Sequence, residues 1–118
     1  MDQTAGFVHL HTHTMYSLLD GAIKPKDLIA KVKEWDMGAV AITDHGNMFG
    51  AVEFYLNAAK AGIKPIIGSE VYVAIEGRHS KKPARGNNDG ANHLVLLAET
   101  NQGYRNLMKI VSIGYLEG

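Results

Sequence analysis

The sequence predicts an α/β fold: a partial (β/α) barrel with mainly parallel strands and helices on the outside. Three observations predict it. Short, continuous apolar runs alternate with amphipathic stretches, the pattern of buried parallel strands joined by crossover helices. The first three runs lead into histidines or carboxylates: His11 and His13, then Asp44 and His45, then Glu70. His11 and His13 are two apart, and on a strand that spacing delivers both imidazoles to one face.

The elements follow in order. Phe7 to His11 reads as the first strand. Pro25 sits where a first helical turn tolerates it, and Leu28, Ile29, Val32 and Trp35 mark one helix face. Gly38 is the expected stop. Ala39 to Thr43 is a short apolar strand ending in Asp44-His45. Val52, Tyr55, Leu56 and Ala59 give the next helical stripe, closed by Gly62. Pro65 to Gly68 begins a third strand that runs toward Val73, and His93 to Ala98 is a fourth. Tyr104, Leu107, Met108, Val111 and Tyr115 mark a third helix. Trp35 and the methionines are expected in the core, and right-handed crossovers throughout. Four strands make about half a barrel, so the chain reads as a fragment of a larger fold.

One segment breaks the rhythm. Residues 76–92 are rich in Gly, Asn, Lys and Arg and lack periodicity, so a long mobile loop is expected there. Arg78, Lys81, Lys82 and Arg85 make it basic. It reads first as a solvated loop and second as a phosphate contact. His79, inside it, needs no special role.

Bulk properties exclude more than they assign. The 118 residues suffice for one small domain with a core, and 46% hydrophobic content is ordinary. Formal net charge is zero, which gives no electrostatic argument for nucleic-acid binding. Cysteine is absent, so thiolate metal sites and disulfides are excluded. No membrane span or export signal is evident, and a cytoplasmic location is expected.

The chemistry-bearing residues are a metal-ligand set. His11 and His13 are ligands by their shared face. His9 lies one step deeper and reads as a supporting or core residue. Asp20, in the loop leaving the first strand, is a ligand that could bridge two ions; Asp20-Gly21 is also an ordinary turn pair. Adjacent strand residues face opposite ways, so His45 takes the metal, while Asp44 fixes a ligand or caps the following helix. Glu70 can bridge two ions. His93 begins its strand instead of ending it. In an all-parallel sheet that places it at the wrong rim, and spacing alone reads it as structural.

These residues resemble a known family. Phe7-Val8-His9-Leu10-His11-Thr12-His13-Thr14-Met15-Tyr16-Ser17-Leu18-Leu19-Asp20-Gly21 is similar to the opening of the PHP domain (polymerase and histidinol phosphatase). Ala41 to Gly50 and Gly62 to Glu70 match its second and third motifs. His93 to Ala98, with Gly103-Tyr104-Arg105-Asn106-Leu107, resembles the branch found at the N-terminus of bacterial replicative DNA polymerase III alpha subunits.

The resemblance implies an incomplete seven-stranded barrel of PHP type, with 1–118 as the N-terminal portion of a single domain. It implies metal-dependent phosphoester hydrolysis, linked in the polymerase branch to 3′–5′ exonuclease proofreading. It implies up to three divalent ions, zinc or manganese, on His11, His13, Asp20, His45, Glu70 and His93. Asp20 and His45 are the catalytic candidates. The implied partners are DNA, reached through a parent polymerase, the remaining polymerase domains, and replisome subunits.

Family members carry further ligands downstream of these motifs. The chain by itself is therefore expected to bind fewer ions, to be weakly active or inactive, to expose apolar surface and an unpaired strand edge, and to self-associate. Two other readings stand beside this one. One is a non-catalytic domain that stabilises a polymerase and docks partners. The other is an amidohydrolase-like barrel, which also opens with His-x-His on its first strand.

Overall fold

The computed structural model describes residues 6–80 and 91–117. Pro25 opens the first helix, α1 (Pro25–Glu34), and its fixed φ suits the first helical turn. Pro25, Leu28, Ile29 and Val32 are its buried stripe. The strand β1 (Ala39–Ile42) follows, buried from Val40 onward. Next come α2 (Ala51–Ala61), β2 (Lys64–Ala74), β3 (Ala91–Leu97) and α3 (Asn101–Leu116). Leu28, Ile29, Val32, Val40, Ile42, Phe54, Ala58 and Ile63 form one core between α1, α2 and β1. Phe54 is fully buried at its centre. Burial of a side chain of that size stabilises by about 1.5–3 kcal/mol.

The strands form one sheet in the order β1-β2-β3. β1 and β2 are parallel, with Ala39 opposite Lys64 and Ile42 opposite Ile67. A lone parallel bridge from His45 to Glu70 keeps the same register past the end of β1. β2 and β3 are antiparallel, with Glu70 opposite Val95 and Tyr72 opposite His93. The parallel direction expected for the last strand is therefore corrected. Its consequence is felt at His93, described below.

The first expected strand, Phe7 to His11, is an extended segment alongside β1 and not a full strand. It makes one parallel bridge, His9 to Val40. Ala41 N–H donates to the His9 carbonyl at 2.9 Å and Thr43 N–H to the Thr12 carbonyl at 2.8 Å. Thr12 N–H turns instead to the Thr43 hydroxyl at 2.9 Å. A side-chain oxygen thus takes a donor that a regular ladder would have used.

Helix ends and faces depart from the sequence reading in instructive ways. α1 stops at Glu34, before the expected Gly38. Asp36 takes the left-handed conformation (φ 57°), Asp36 N–H donates to the Lys33 carbonyl, and Met37 N–H donates to Val32. That is a Schellman closure with Asp in the position glycine usually holds. α2 closes the same way, with Gly62 at φ 75°. Trp35, expected in the core, is 52% exposed, with the Lys31 ammonium 5.4 Å from its ring. On α2 the expected stripe is on the wrong side: Ala51, Phe54 and Ala58 are buried, while Val52, Tyr55 and Leu56 are exposed. α3 is capped by Thr100, whose hydroxyl accepts from Gly103 N–H at 3.0 Å, and Leu107 is its buried residue. Of the methionines expected in the core, Met37 packs at its margin, Met15 and Met48 are half-buried, Met108 is exposed, and Met1 lies outside the described residues.

The loop expected over 76–92 is shorter at its far end, because β3 begins at Ala91. Its central part, 81–90, lies outside the described residues, and Lys81, Lys82 and Arg85 with it. Of the basic set, Arg78 pairs with Glu117 at 2.6 Å, both exposed. No helix among the described residues is long and apolar enough to cross a membrane.

Candidate metal centre

The site gathers where the extended N-terminal segment, β1 and β2 deliver their polar residues, at the C-terminal end of β1. Glu70 is its hub. Its side chain is only 6% exposed. One carboxylate oxygen, Oε1, lies 3.1 Å from His11 Nε2 and 3.7 Å from His93 Nδ1. The other, Oε2, lies 3.0 Å from His13 Nε2 and 2.7 Å from His45 Nδ1. Asp20 closes the far side, its Oδ2 2.7 Å from His45 Nε2. The six sequence candidates are thus brought together.

Each arrives for a local reason. His11 and His13 flank Thr12 on the extended segment, and their rings sit 5.0 Å apart, edge to face. His45 and Glu70 are held opposite each other by the continued parallel register. His93 comes from the start of β3, and because β3 runs antiparallel, that start lies beside the C-terminal half of β2. The rim objection from spacing assumed a parallel strand, and the reversed strand removes it. His9 stays outside the groups, half-buried with its ring 4.8 Å from Phe7.

Asp44 points away from the cluster around Glu70, as expected from its adjacency to His45. It is 1% exposed. Its carboxylate accepts from Thr14 N–H at 2.6 Å, Thr14 hydroxyl at 2.8 Å and Ser17 hydroxyl at 2.7 Å. Ser17 Oγ in turn accepts from His45 N–H at 2.9 Å. Asp44 therefore ties down the loop that carries His13 and Asp20. It does not cap α2, whose N-cap is Gly50. Its carbonyl holds β2 in place by accepting from Glu70 N–H and the Ser69 hydroxyl, both at 3.0 Å.

Thr14, Ser17 and Asn47 are positioning residues that the sequence reading passed over. Asn47 donates to the carbonyls of Tyr16 and His45, both at 3.0 Å. Their signal was available: small polar residues interleaved with the ligands, in loops that must satisfy their own backbone. The same loop holds Leu19 at φ 75°, a conformation few leucines adopt, directly before Asp20. Gly21 is required there, because an added Cβ would collide with the Thr14 carbonyl oxygen. Gly21→Ala is expected to cost about 1–3 kcal/mol by overpacking and to push Asp20 off His45. Thermal unfolding with and without Mn²⁺ checks it, and an unchanged ion-induced stabilisation would count against the loop's role.

Beyond the core of the site, Tyr16 donates to Glu53 Oε2 at 2.7 Å. That hydrogen bond, with smaller help from burial and the nearby Glu53 and Asp44 charges, holds the phenol above its ordinary range.

The donor atoms test whether ions fit. They fall into three groups, each within 4.8 Å: His11, His13 and Glu70; His13, Asp20 and His45; His45, Glu70 and His93. His45 is decisive. Both of its ring nitrogens are buried, and neither has a hydrogen-bond partner. Yet each lies 2.7 Å from a carboxylate oxygen. Distance and direction disagree here, and direction decides, because an imidazole N–H must point at its acceptor. Buried nitrogens beside carboxylates but not aimed at them could hold a cation between them. Imidazole and carboxylate without thiolate suit zinc or manganese.

Known proteins resemble this chain. The DNA polymerase III subunit alpha of Borreliella burgdorferi is 54% identical over 112 residues, covering 95% of this chain and 10% of that protein. That of Thermus aquaticus is 54% identical over 114 residues, covering 95% of this chain and 9% of that protein. The chain therefore spans about a tenth of the curated relatives it matches. Among solved structures, an amidohydrolase from Chromobacterium violaceum, with sulfate bound and no metal, has a TM-score of 0.59 at 27% identity. That match covers 87% of this chain and 32% of that one. A protein from Bifidobacterium adolescentis assigned as a metal-dependent phosphoesterase has a TM-score of 0.60 at 18% identity, covering 91% of this chain and 34% of that one. It shares the fold. The PHP domain model matches residues 9–118. With the match running through all six gathered residues, the chain belongs to the PHP domain family.

Proposed function

We propose that the chain carries the metal-dependent phosphoesterase site of a bacterial replicative DNA polymerase alpha subunit, acting in the cytoplasm on DNA ends. The carrying observation is His45, with both ring nitrogens buried, unbonded and wedged between Asp20 and Glu70. The polymerase relatives supply the context, and proofreading of a 3′ end is the reaction that context favours.

Divalent zinc or manganese, when bound, would polarise the phosphate and lower the pKa of an attacking water. His11, His13, Asp20, His45, Glu70 and His93 would hold up to three such ions. The protein's own part is division of labour. Glu70, sealed from solvent, fixes the imidazoles against one another. Asp20 is 61% exposed and can take a proton at Oδ2 and pass it to solvent. His45 stands between the two carboxylates, 2.7 Å from an oxygen of each.

Hydrolysis of bis(p-nitrophenyl) phosphate tests this reading. Activity is expected to fall to background on chelation and to return with Mn²⁺ or Zn²⁺. Turnover indifferent to both treatments sinks it. Preference for an anilide or amide substrate instead favours the amidohydrolase-like alternative, which the Chromobacterium violaceum neighbour's name brings forward.

A second reading has its own observation. Val52, Tyr55 and Leu56 expose a contiguous apolar stripe on α2. Relatives about ten times longer than the matched region have further chain to cover it. In this reading the domain docks and stabilises the rest of the polymerase, and the stripe drives self-association when uncovered. Sedimentation of a Leu56→Lys variant separates the two: loss of association without loss of ion binding assigns the stripe to docking alone.

A further inference from the structure

Tyr72 stands at the mouth of the ion site without belonging to its donor set. It lies two residues beyond Glu70 on β2, so both side chains leave the sheet on the same face. It is the cross-strand partner of His93, with ring centroids 4.9 Å apart and planes near perpendicular. Its ring is parallel to that of His45, 1° between planes, at 6.4 Å. Its Cε2 lies near Gly46, where an added Cβ would approach to 3.3 Å. The residue is nevertheless 52% exposed. Tyrosine so placed, beside the imidazoles of His45 and His93, presents an aromatic surface next to where a phosphate would sit.

We propose that Tyr72 is a specificity-determining residue that stacks on the base of a nucleotide whose phosphate is held at the His45, Glu70 and His93 group. The proposal rests on the phosphoesterase reading and deepens it by naming the residue that would hold the base. An aromatic side chain accepts any base, because every base has a π-face. The site would then choose nucleotides over simple phosphates without choosing a sequence. Such a stack is expected to tighten binding about tenfold, the conversion of roughly 1.4 kcal/mol.

The test is calorimetric binding to the Mn²⁺-loaded chain of two ligands, thymidine 5′-monophosphate and ribose 5-phosphate, which lacks the base. The unsubstituted protein is expected to bind the nucleotide about tenfold more tightly. Tyr72→Phe keeps that preference. Tyr72→Leu loses it while holding ribose 5-phosphate as before, and circular dichroism confirms that the variant is folded. A general structural role for Tyr72 would weaken both ligands together. Equal binding of the two ligands by the unsubstituted protein, or a preference that survives in Tyr72→Leu, overturns the proposal and leaves the phosphoesterase reading standing. Failure to bind either ligand once Mn²⁺ is loaded overturns both.

Discussion

Asp44→Ala is expected to destabilise the protein by about 3–5 kcal/mol and to abolish tight ion binding with it. The side chain is almost wholly buried and satisfies three donors at once: Thr14 N–H, Thr14 hydroxyl and Ser17 hydroxyl. Each buried donor left without an acceptor costs about 1–3 kcal/mol. The hydroxyls cannot simply turn away. Thr14 Oγ1 already accepts from Tyr16 N–H at 3.2 Å, and Ser17 Oγ from His45 N–H at 2.9 Å. Releasing one hydrogen bond therefore disturbs a second. The loop between His13 and Asp20 would lose its anchor, and both residues would drift from His45. Asp44→Asn keeps one acceptor oxygen and turns an amide against the other donors, so a loss of about 1–3 kcal/mol is expected. Urea unfolding at constant m-value measures both variants. A loss below about 1 kcal/mol for Asp44→Ala would show that water replaces the carboxylate, and the anchoring role would be gone.

The same residue shows what the sequence disclosed and what it withheld. Alternation along a strand sufficed to send His45 toward Glu70 and Asp44 away from it. It said nothing of what Asp44 would meet, because Thr14 and Ser17 reach it from a loop some thirty residues earlier in the chain. His93 makes the complementary case. Its distance from Glu70 depends on the direction of β3, and an apolar run reads identically in either direction. Resemblance placed it in the ligand set where spacing could not. The α2 stripe failed for a third reason. Apolar residues occupy two neighbouring faces of that helix, and a 3.6-residue period fits both. The face carrying Phe54 and Ala58 packs into the core, leaving the larger Tyr55 and Leu56 outside. Bulk along a stripe was a poorer guide than fit against α1 and β1.

The largest effect on ion binding is expected at Glu70, and it should appear only when ions are present. Both carboxylate oxygens face imidazole nitrogens, His11 and His93 on one side, His13 and His45 on the other. Glu70 also belongs to two of the three donor groups, so its loss touches both. Glu70→Gln preserves shape and removes the charge. Without ions the amide can still hydrogen-bond a neutral imidazole, and stability should stay within about 1 kcal/mol of the parent. With ions the amide is a poor ligand. Losing even an outer-shell partner weakens metal binding about 10–100-fold, and a shared direct ligand should reach at least the upper end. Linkage turns that into a stability difference. At a Mn²⁺ concentration of about 100 times the parent Kd, the parent gains about 2.7 kcal/mol. A variant with a hundredfold weaker Kd gains only about 0.4 kcal/mol under the same conditions. Parent and variant should therefore unfold almost together in chelator and separate by about 2 kcal/mol in Mn²⁺. Equal ion-induced stabilisation of the two would remove Glu70 from the ligand set and leave it a buried partner of the histidines.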